Sequence, residues 1–241
     1  MSWKKSLLFF AWQSIRFSKS LEHFTNVWTF YKRWKTSFEP GKSSVTDELP
    51  WINYLAIQCL EKNIRPEFKV FEYGGGGSTL FFSKIVAEIA TVEDNQEWYN
   101  TLNDIITARR ISNWRGFFVQ PEPVSTSLPR SFKNPKDFMS RMEIHADMSF
   151  EKYAKAIQQY PFEYFDLILV DGRARPSCIE QALPFLKPGG ILVVDNTERT
   201  YYLEPFKEIL SSDFEVLENR VAPVAYTPDF TQTSIFRKRV K

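Results

Sequence analysis

The amino-acid sequence predicts an α/β protein whose central sheet is mostly parallel and covered by helices on both faces. Short apolar runs alternate with helix-length stretches along most of the chain, which is typical of strand–helix–strand units. The run FDLILV at 165–170 is almost continuously apolar, as expected for a strand buried on both faces. Four tandem glycines at 74–77 follow another apolar run and allow a tight turn from strand to helix. Ligands of parallel sheets bind beyond the carboxyl ends of the strands, so we expect the site there.

The composition of the 241-residue chain supports one large domain with an appendage. Hydrophobic residues make up 43% and charged residues 25%, which is the usual globular mixture and excludes a mainly disordered chain. The formal net charge of +2 is too small to indicate a dedicated nucleic-acid-binding protein. The two cysteines, Cys59 and Cys178, lie far apart, which indicates reduced thiols and a cytoplasmic location. The early apolar run at 7–12 is too short for a membrane span or a secretory signal.

Residues 1–40 are expected to form an aromatic, basic helical appendage to a second domain at 41–241. The appendage holds seven lysines or arginines but only two glutamates, and it contains eleven aromatic residues. A helix over about 20–35 is predicted because its apolar side chains follow helical spacing: Leu21, Phe24, Trp28, Tyr31 and Trp34. Two interpretations of this face stay open. It packs on the body or on a second copy of the chain, or it lies on an anionic membrane surface.

Periodicity and helix-stopping residues predict the remaining elements in order. After a linker at 39–44, a helix is expected from Thr46 or Asp47, either of which can cap it, to Asn63, since Pro66 follows. Glycines 74–77 end the first strand, and Lys-Pro-Gly-Gly at 187–190 separates a helix from the apolar run ILVV. The predicted strands are 68–73, 89–93, 116–120, 165–170, 191–194, about 214–218 and about 232–236. The predicted helices between them are 78–88, 95–110, 150–159, 176–186 and 203–211.

The third strand has an alternative position. Residues 141–147 (RMEIHAD) can also be interpreted as a strand that ends in an acid. In that case Asp147, rather than the 116–120 region, would lie beside the base of a bound nucleoside.

Two glutamates accompany the glycine loop. Glu72 lies at the end of the first predicted strand, where a carboxylate would repel phosphates but could accept a hydrogen bond from an ammonium or amide group. Glu93 ends the second strand, where an acid can accept hydrogen bonds from ribose hydroxyls. A dinucleotide fingerprint that starts at Gly74 would need its last glycine where Thr79 stands. A nucleoside carrying a cation therefore fits better than a pyrophosphate, and a purely structural turn is the alternative.

The segments VFEYGGGGSTLFF, TVEDNQEWY and FDLILVDGRARPSCIEQALPFLKPGGILVVDNTER resemble the class I, Rossmann-like S-adenosylmethionine-dependent methyltransferases over about residues 45–236. The family loop E-x-G-x-G-x-G is matched except at its last glycine, where this chain has a serine. The resemblance implies a doubly wound, mostly parallel seven-stranded sheet with a C-terminal antiparallel hairpin. It also implies S-adenosylmethionine as cofactor, and the implied cofactor-binding residues are Glu72, Gly74, Gly75, Gly76, Gly77, Ser78, Glu93, Asp94 and Asp171.

Three oxygen-bearing side chains follow the predicted strands 165–170 and 191–194, namely Asp171, Asp195 and Asn196. Their spacing resembles the metal trio of the magnesium-dependent O-methyltransferases, which implies an Mg²⁺ ion that positions an acceptor hydroxyl. Those enzymes place a lysine base three residues after the first Asp, but here Ala174 stands between Arg173 and Arg175. An arginine cannot act as a general base but could bind a carboxylate or phosphate of the acceptor. Alternatively, these acids cap helices or bind cofactor and substrate directly.

The long connection 121–149 is typical of a functional lid, and His145 within it is a candidate proton acceptor. With Asp171 and Arg173 it completes the predicted catalytic set. The resulting hypothesis is methyl transfer to an oxygen of a small molecule or glycan. Nucleic acid is not expected as a partner, because the body between the basic ends is acidic and VDGR stands where an N-P-P-Y-like tetrapeptide would follow the strand.

Two other classes of function remain as alternatives. One is a nicotinamide-dependent oxidoreductase, and the other is a non-catalytic protein that binds a cofactor or a membrane surface. A homo-oligomer and peripheral membrane contact through residues 1–40 also stay open, so the predicted location is the cytoplasm or its membrane surface.

Overall fold

Residues 3–124 and 129–240 are described by the computed structural model. The helices are α1 (Trp3–Phe17), α2 (Leu21–Thr29), α3 (Tyr31–Thr36), α4 (Ser44–Asp47), α5 (Tyr54–Asn63), α6 (Gly77–Ser83), α7 (Gln96–Ala108), α8 (Glu151–Ala154), α9 (Arg175–Ala182) and α10 (Lys207–Asp213). The strands are β1 (Lys69–Tyr73), β2 (Glu88–Glu93), β3 (Trp114–Phe118), β4 (Glu122–Pro123), β5 (Met148–Ser149), β6 (Phe165–Val170), β7 (Leu186–Val194), β8 (Phe214–Glu218), β9 (Val221–Pro223), β10 (Phe230–Gln232) and β11 (Ser234–Lys238).

Seven strands form one sheet in the order β3-β2-β1-β6-β7-β11-β8. Neighbours pair in parallel from β3 to β7, whereas β11 runs antiparallel to both β7 and β8. The register sets Val70 of β1 between Ile89 of β2 and Leu167 of β6. The predicted doubly wound sheet and its C-terminal antiparallel pair are confirmed. The connection between β8 and β11 additionally carries the antiparallel β9–β10 ribbon.

The third strand is β3, so the prediction at 116–120 is confirmed with a shift of two residues. The alternative at 141–147 is wrong, because Glu143–His145 forms a 3-10 turn. The nearest strand, β5, begins after this segment and pairs with β4 rather than with the main sheet. The strand β3 lies at the edge of the sheet and buries none of its residues fully, which explains its weak apolar pattern.

Side chains of the central strands alternate between two hydrophobic clusters, one on each face of the sheet. On β6, Leu167 and Leu169 belong to one cluster, while Ile168 and Val170 belong to the other. Side chains from α1–α3, α5 and α6 complete the first cluster, and side chains from α8, α9 and α10 complete the second. Because both faces are covered, β6 is apolar at every position except Asp166, near its start, rather than alternating.

Helices α1–α3 contribute to the first of these clusters. Phe10 and Trp34 are fully buried, and the Phe10 ring lies 5.2 Å from that of Phe230. The indole Nε1 of Trp34 donates to the carbonyl of Thr227 at 3.0 Å. The appendage therefore shares its core with the rest of the chain, but the predicted face does not point inward throughout. Leu21 and Trp28 are exposed, and α2 buries His23 and Val27 instead.

Two predicted helices are each divided into separate α-helices in the structure, and the one predicted over 150–159 continues beyond α8 as a 3-10 helix. The helix expected over 20–35 is broken at Phe30, whose backbone leaves ideal helical geometry while its ring stacks on Tyr54 at 5.2 Å. The helix expected from Thr46 or Asp47 to Asn63 is divided into α4 and α5, because Pro50 lies between them and disfavours helical geometry at the residue before it. None of the described helices is both long and apolar enough to cross a bilayer.

Candidate functional site

A cavity of about 770 Å³, here called the main cavity, lies at the carboxyl ends of β1, β2 and β6. This is the edge at which a parallel sheet binds ligands. Its lining includes six carboxylate side chains but only two guanidinium groups: Glu93, Asp94, Glu97, Asp171, Asp195, Asp229, Arg173 and Arg175. The main cavity is therefore acidic and favours a ligand that carries positive charge.

The glycine loop forms one wall of the main cavity. Gly74 has a positive φ of 87°, and a Cβ atom there would lie 2.9 Å from the Cα atom of Gly172. Glycine is thus required at 74 because two backbone segments approach closely. At Gly76 the nearest atom to a built Cβ belongs to Trp98 and is 3.5 Å away, an ordinary contact. The Trp98 indole therefore lies over Gly76, at van der Waals distance from where a Cβ atom would be.

Glu93 lines the main cavity although only 6% of its surface is exposed. Its carboxylate accepts backbone hydrogen bonds from Gly75, Asp94 and Asn95 at 3.0, 3.1 and 3.0 Å. Burial raises the pKa of Glu93, and these hydrogen bonds partly oppose the rise. A carboxylate offers about four acceptor sites, so about one remains for a ligand hydroxyl.

Glu72, predicted to contact the cofactor, is fully buried and does not line the main cavity. Its Oε2 atom accepts hydrogen bonds from the hydroxyls of Thr79 at 2.5 Å and Thr91 at 3.1 Å. Its Oε1 atom makes no well-aligned hydrogen bond to any residue that the structure describes. Burial raises the pKa of Glu72 to about 7. Glu72 thus supports the loop from below, because Thr79 in turn accepts a hydrogen bond from Gly76 N at 3.0 Å.

The three side chains predicted to bind magnesium converge, but they converge on Arg175. Its Nη2 atom donates to Asp171 Oδ1 and to the Asp171 carbonyl at 2.7 Å each. Its Nη1 atom donates to Asn196 Oδ1 at 3.1 Å and to the Asp195 carbonyl, and its Nε donates to the Gly172 carbonyl at 3.1 Å. A guanidinium group has five N–H donors, and these contacts use all of them.

This donor set does not fit a metal ion. Arg175 supplies the positive charge, and the second carboxylate is also committed, since Asp195 Oδ1 accepts a hydrogen bond from Thr233 at 2.6 Å. Over residues 3–124 and 129–240, no group of three or more acidic, histidine or cysteine side chains is arranged to hold a metal. The predicted magnesium site is therefore replaced by an internal ion-pair network. Arg175 has no N–H left for an acceptor anion either.

Asp171 lies at the centre of this network and also lines the main cavity. Burial, and then the neighbouring Asp195 carboxylate, raise the pKa of Asp171, while Arg175 lowers it. Burial likewise raises the pKa of Asp195. Asp171 is consequently a carboxylate with enhanced affinity for a proton at the edge of an acidic cavity.

A second, smaller cavity of about 280 Å³, here called the side cavity, adjoins the main cavity. Gly172, Arg173 and Arg175 line both of them. Arg173, a predicted catalytic residue, lies with its Nε atom 3.5 Å from Asp94 Oδ1 and keeps 39% of its side chain exposed. The two predicted site residues Asp94 and Arg173 are therefore close neighbours where the cavities meet.

His145 is not brought to either cavity. It ends the 3-10 turn Glu143–His145, and its ring packs against Phe150 at 5.3 Å. The lining residues of the main and side cavities do not include it. Asp147, proposed beside a base, also lies outside the main-cavity lining.

Trp98 is a site residue that the sequence analysis missed. It lines the main cavity, and its Nε1 atom donates to the Gly75 carbonyl at 2.7 Å. A sequence signal for Trp98 exists. Asn95 directly follows the end of β2 and is a typical helix N-cap residue, which places Trp98 in the first turn of α7. In the structure Asn95 Oδ1 accepts a hydrogen bond from Trp98 N at 2.9 Å.

No protein-family model matches the sequence, and no curated protein matches it significantly. Solved structures do match. A candidate methyltransferase of Streptococcus mutans, crystallised with SAH, superposes with a TM-score of 0.51 at 13% identity over 76% of this chain and 96% of its own. An rRNA methylase of Streptococcus thermophilus gives a TM-score of 0.50 at 12% identity over 78% and 96%. TrmN of Thermus thermophilus gives 0.51 at 15% identity over 76% and 48%.

The chain has the class I methyltransferase fold. At sequence identities of 12–15%, the similarity to these structures shows the shared fold. Within the class I methyltransferase fold, the reversed strand β11 lies between β7 and β8. The dinucleotide-binding Rossmann order instead continues in parallel through its last strand. The sheet order therefore does not favour the nicotinamide-dependent alternative.

Proposed function

We propose that this protein is an S-adenosylmethionine-dependent methyltransferase that methylates an oxygen of a small molecule or a glycan. The observation that carries the proposal is the acidic main cavity at the carboxyl ends of β1, β2 and β6 in a class I methyltransferase fold. S-adenosylmethionine carries a sulfonium and an ammonium group, so a wall rich in carboxylates complements it.

Three features of the chain fit this cofactor. The loop residues Gly74–Gly77 line the main cavity without side chains, so the backbone there can approach the amino-acid end of the cofactor. Glu93 keeps about one acceptor site, enough for one ribose hydroxyl without disturbing its three backbone hydrogen bonds. Trp98 lies over the loop with an aromatic surface available to the cavity. Glu72 acts by holding the loop rather than by touching the ligand.

The cofactor, when bound, supplies an electrophilic methyl group on sulfur. The residues of the chain would hold the acceptor oxygen in line with the carbon–sulfur bond that breaks and would take the proton from that oxygen. Asp171 is the proposed proton acceptor, because it lines the main cavity and because burial raises its pKa. A general base works best when its pKa lies near the working pH. Arg173 is the proposed orienting residue, since it lines both cavities and remains partly exposed. His145 has no role in this proposal because it lies outside both cavities.

Calorimetric titration with S-adenosylhomocysteine tests the cofactor assignment. We expect micromolar binding by the wild type, and at least about tenfold weaker binding by Gly76→Ala, whose added methyl group would lie between the loop and the Trp98 indole at the cavity wall. The fold should tolerate that methyl group, since its nearest neighbour would be 3.5 Å away. Glu93→Gln should also weaken binding, while Glu61→Gln on the exposed side of α5 is the matched control.

The same titration tests whether a metal ion contributes to cofactor binding. Adding Mg²⁺ or EDTA is expected to leave the affinity unchanged, because Arg175 occupies the position between the three oxygen ligands. Lack of binding by folded wild-type protein would overturn the methyltransferase proposal. Binding without turnover of any acceptor would instead support the non-catalytic alternative.

A second candidate function, contact with an anionic membrane, is favoured by one outward face of α1. Leu8, Trp12 and Ile15 are one helical turn apart and are 71%, 52% and 70% exposed, and the exposed cations Arg16 and Lys19 lie beside them. Sedimentation with phosphatidylserine-containing vesicles tests it. Trp12→Ser with Ile15→Ser should abolish binding, whereas the exposed body variant Phe162→Ser should not; equal binding by both, or none by the wild type, would refute it.

A further inference from the structure

The side cavity differs in charge from the main cavity beside it. Its lining contains four arginines and, among the described residues, no aspartate or glutamate: Arg141, Arg173, Arg175 and Arg199. The main cavity instead carries an excess of carboxylates. Two adjoining cavities of opposite charge would suit two reactants of opposite charge. Each reactant would be repelled by the cavity whose charge has the same sign as its own.

We propose that the side cavity is the acceptor subsite and that it binds an anionic group, a phosphate or a carboxylate, on a small organic molecule. The proposal rests on the methyltransferase function proposed above and adds the chemical class of the acceptor. Bound there, the acceptor would reach the main cavity past Gly172 and Arg173, which belong to both linings.

The arginines of the side cavity have distinct roles. Arg175 cannot bind a ligand, because its five N–H groups are all used within the ion-pair network. Arg199 donates one hydrogen bond, from Nη1 to the Tyr202 hydroxyl at 3.1 Å, and its Nε atom lies 3.9 Å from Glu198 Oε1 in a loose, partly exposed ion pair. Arg173 is held only at 3.5 Å from Asp94, and Arg141 is exposed. Arg199, Arg173 and Arg141 are therefore the donors available to an anion.

A tyrosine hydroxyl adds a neutral donor to this set. The Tyr201 hydroxyl is shielded from solvent but makes no well-aligned hydrogen bond to any described residue. It lies near the guanidinium of Arg141 and the hydroxyl of Tyr202. A buried hydroxyl whose hydrogen bonds are poorly aligned costs free energy, and an anion in the side cavity would provide a better-placed acceptor.

The remaining wall is apolar and sets the size of the ligand. Phe132 packs edge-on against Tyr201 at 5.2 Å, and Met139 and Met142 also line the cavity. A volume of about 280 Å³ admits a small ring or a short chain attached to the anionic group. The geometry therefore favours a small amphiphilic anion over RNA.

Calorimetry on the full-length protein saturated with S-adenosylhomocysteine tests the proposal. The probes are phenyl phosphate, benzoate and, as the uncharged analogue, phenol, with a single-stranded RNA oligonucleotide titrated separately. We expect one or both anions to bind and phenol to bind at least about tenfold more weakly. Comparison of the two anions distinguishes a phosphorylated from a carboxylated acceptor.

Variants locate the binding. Arg199→Gln and Tyr201→Phe should each weaken binding of the favoured anion, Arg199→Gln by about tenfold or more, while the affinity for S-adenosylhomocysteine stays unchanged. Arg65→Gln is the control, since Arg65 is exposed and precedes β1, at the opposite edge of the sheet.

Each outcome separates the two proposals. Anion binding that survives both variants, absence of anion binding, or tight RNA binding that depends on Arg199 would overturn the small-anion proposal while cofactor binding stands. Absence of S-adenosylhomocysteine binding in the wild type would overturn the methyltransferase function itself.

Discussion

The buried carboxyl group of Glu72 makes the stability of this protein depend on pH in a defined direction. Burial raises the pKa of Glu72 from its ordinary value of 4.5 to about 7 in the folded state. Between these values the folded state binds more protons than the unfolded state does, so the free energy of unfolding falls as the pH rises. The stabilising effect of the buried neutral carboxyl is complete below pH 4.5 and is lost by the time the pH has passed 7.

The size of the effect follows from the shift. The pKa difference of about 2.5, from 4.5 to about 7, corresponds to about 3 kcal/mol at 1.36 kcal/mol for each pH unit. Glu72→Gln removes the titration but keeps an oxygen that can accept from Thr79 and Thr91. Its new amide N–H group has the Ser78 hydroxyl as a neighbouring acceptor, and the poor alignment of that contact costs up to about 1–3 kcal/mol at every pH.

Urea unfolding of wild type and Glu72→Gln at pH 5, 6, 7 and 8, without cofactor, measures the difference in their free energies of unfolding. We expect that difference to change by about 2.5 kcal/mol in favour of the variant between pH 5 and pH 8, because part of the full effect lies below pH 5. The constant cost of the buried amide cancels in this comparison. Glu61→Gln on the exposed surface is the control and should show no such change. A difference that stays constant within about 0.5 kcal/mol from pH 5 to pH 8 would refute the assigned burial and pKa of Glu72.

Three further predictions concern stability. Arg175→Met should lower the free energy of unfolding by about 3–5 kcal/mol in urea titrations, because two carboxylates lose their buried counter-charge; a loss below about 1 kcal/mol would contradict the network. Phe10→Ala should cost about 3–5 kcal/mol and keep a single transition, while the exposed Leu8→Ala should cost under about 0.5 kcal/mol; two separate transitions would show that α1–α3 unfold alone. Burial lowers the pKa of His23 from 6.5, so stability should fall as the pH drops below 6.5, and thermal melts of His23→Gln should lack that part of the acid loss.

The sheet was predictable because its signals are local. The boundaries of β6 agree with the prediction to the residue, since five of its six residues are apolar and form a run that is stable only when both faces are buried. The break at Phe30 was not predictable from periodicity, because the aromatic spacing continues through it while the Phe30 ring turns to stack on Tyr54. That contact joins two segments far apart in the sequence.

For the candidate site, too, the positions of the residues were predictable from local sequence, whereas their partners were not. The sequence by itself determined that Glu93, Asp171 and Asp195 lie at one edge of the sheet, because each directly ends or follows a parallel strand. It could not determine what those carboxylates bind. Only the tertiary structure decided that Arg175, at the start of α9, satisfies the last two and so takes the position of the predicted metal ion.

The physical reason is that strand ends are set by local patterns, whereas pairing is a competition among all groups that the fold brings within reach. The composition of the side cavity was decided in the same way, since Arg141, Arg173 and Arg199 come from three separate connections of the chain. Their charges are visible in the sequence, but their convergence beside an acidic main cavity exists only in the folded protein.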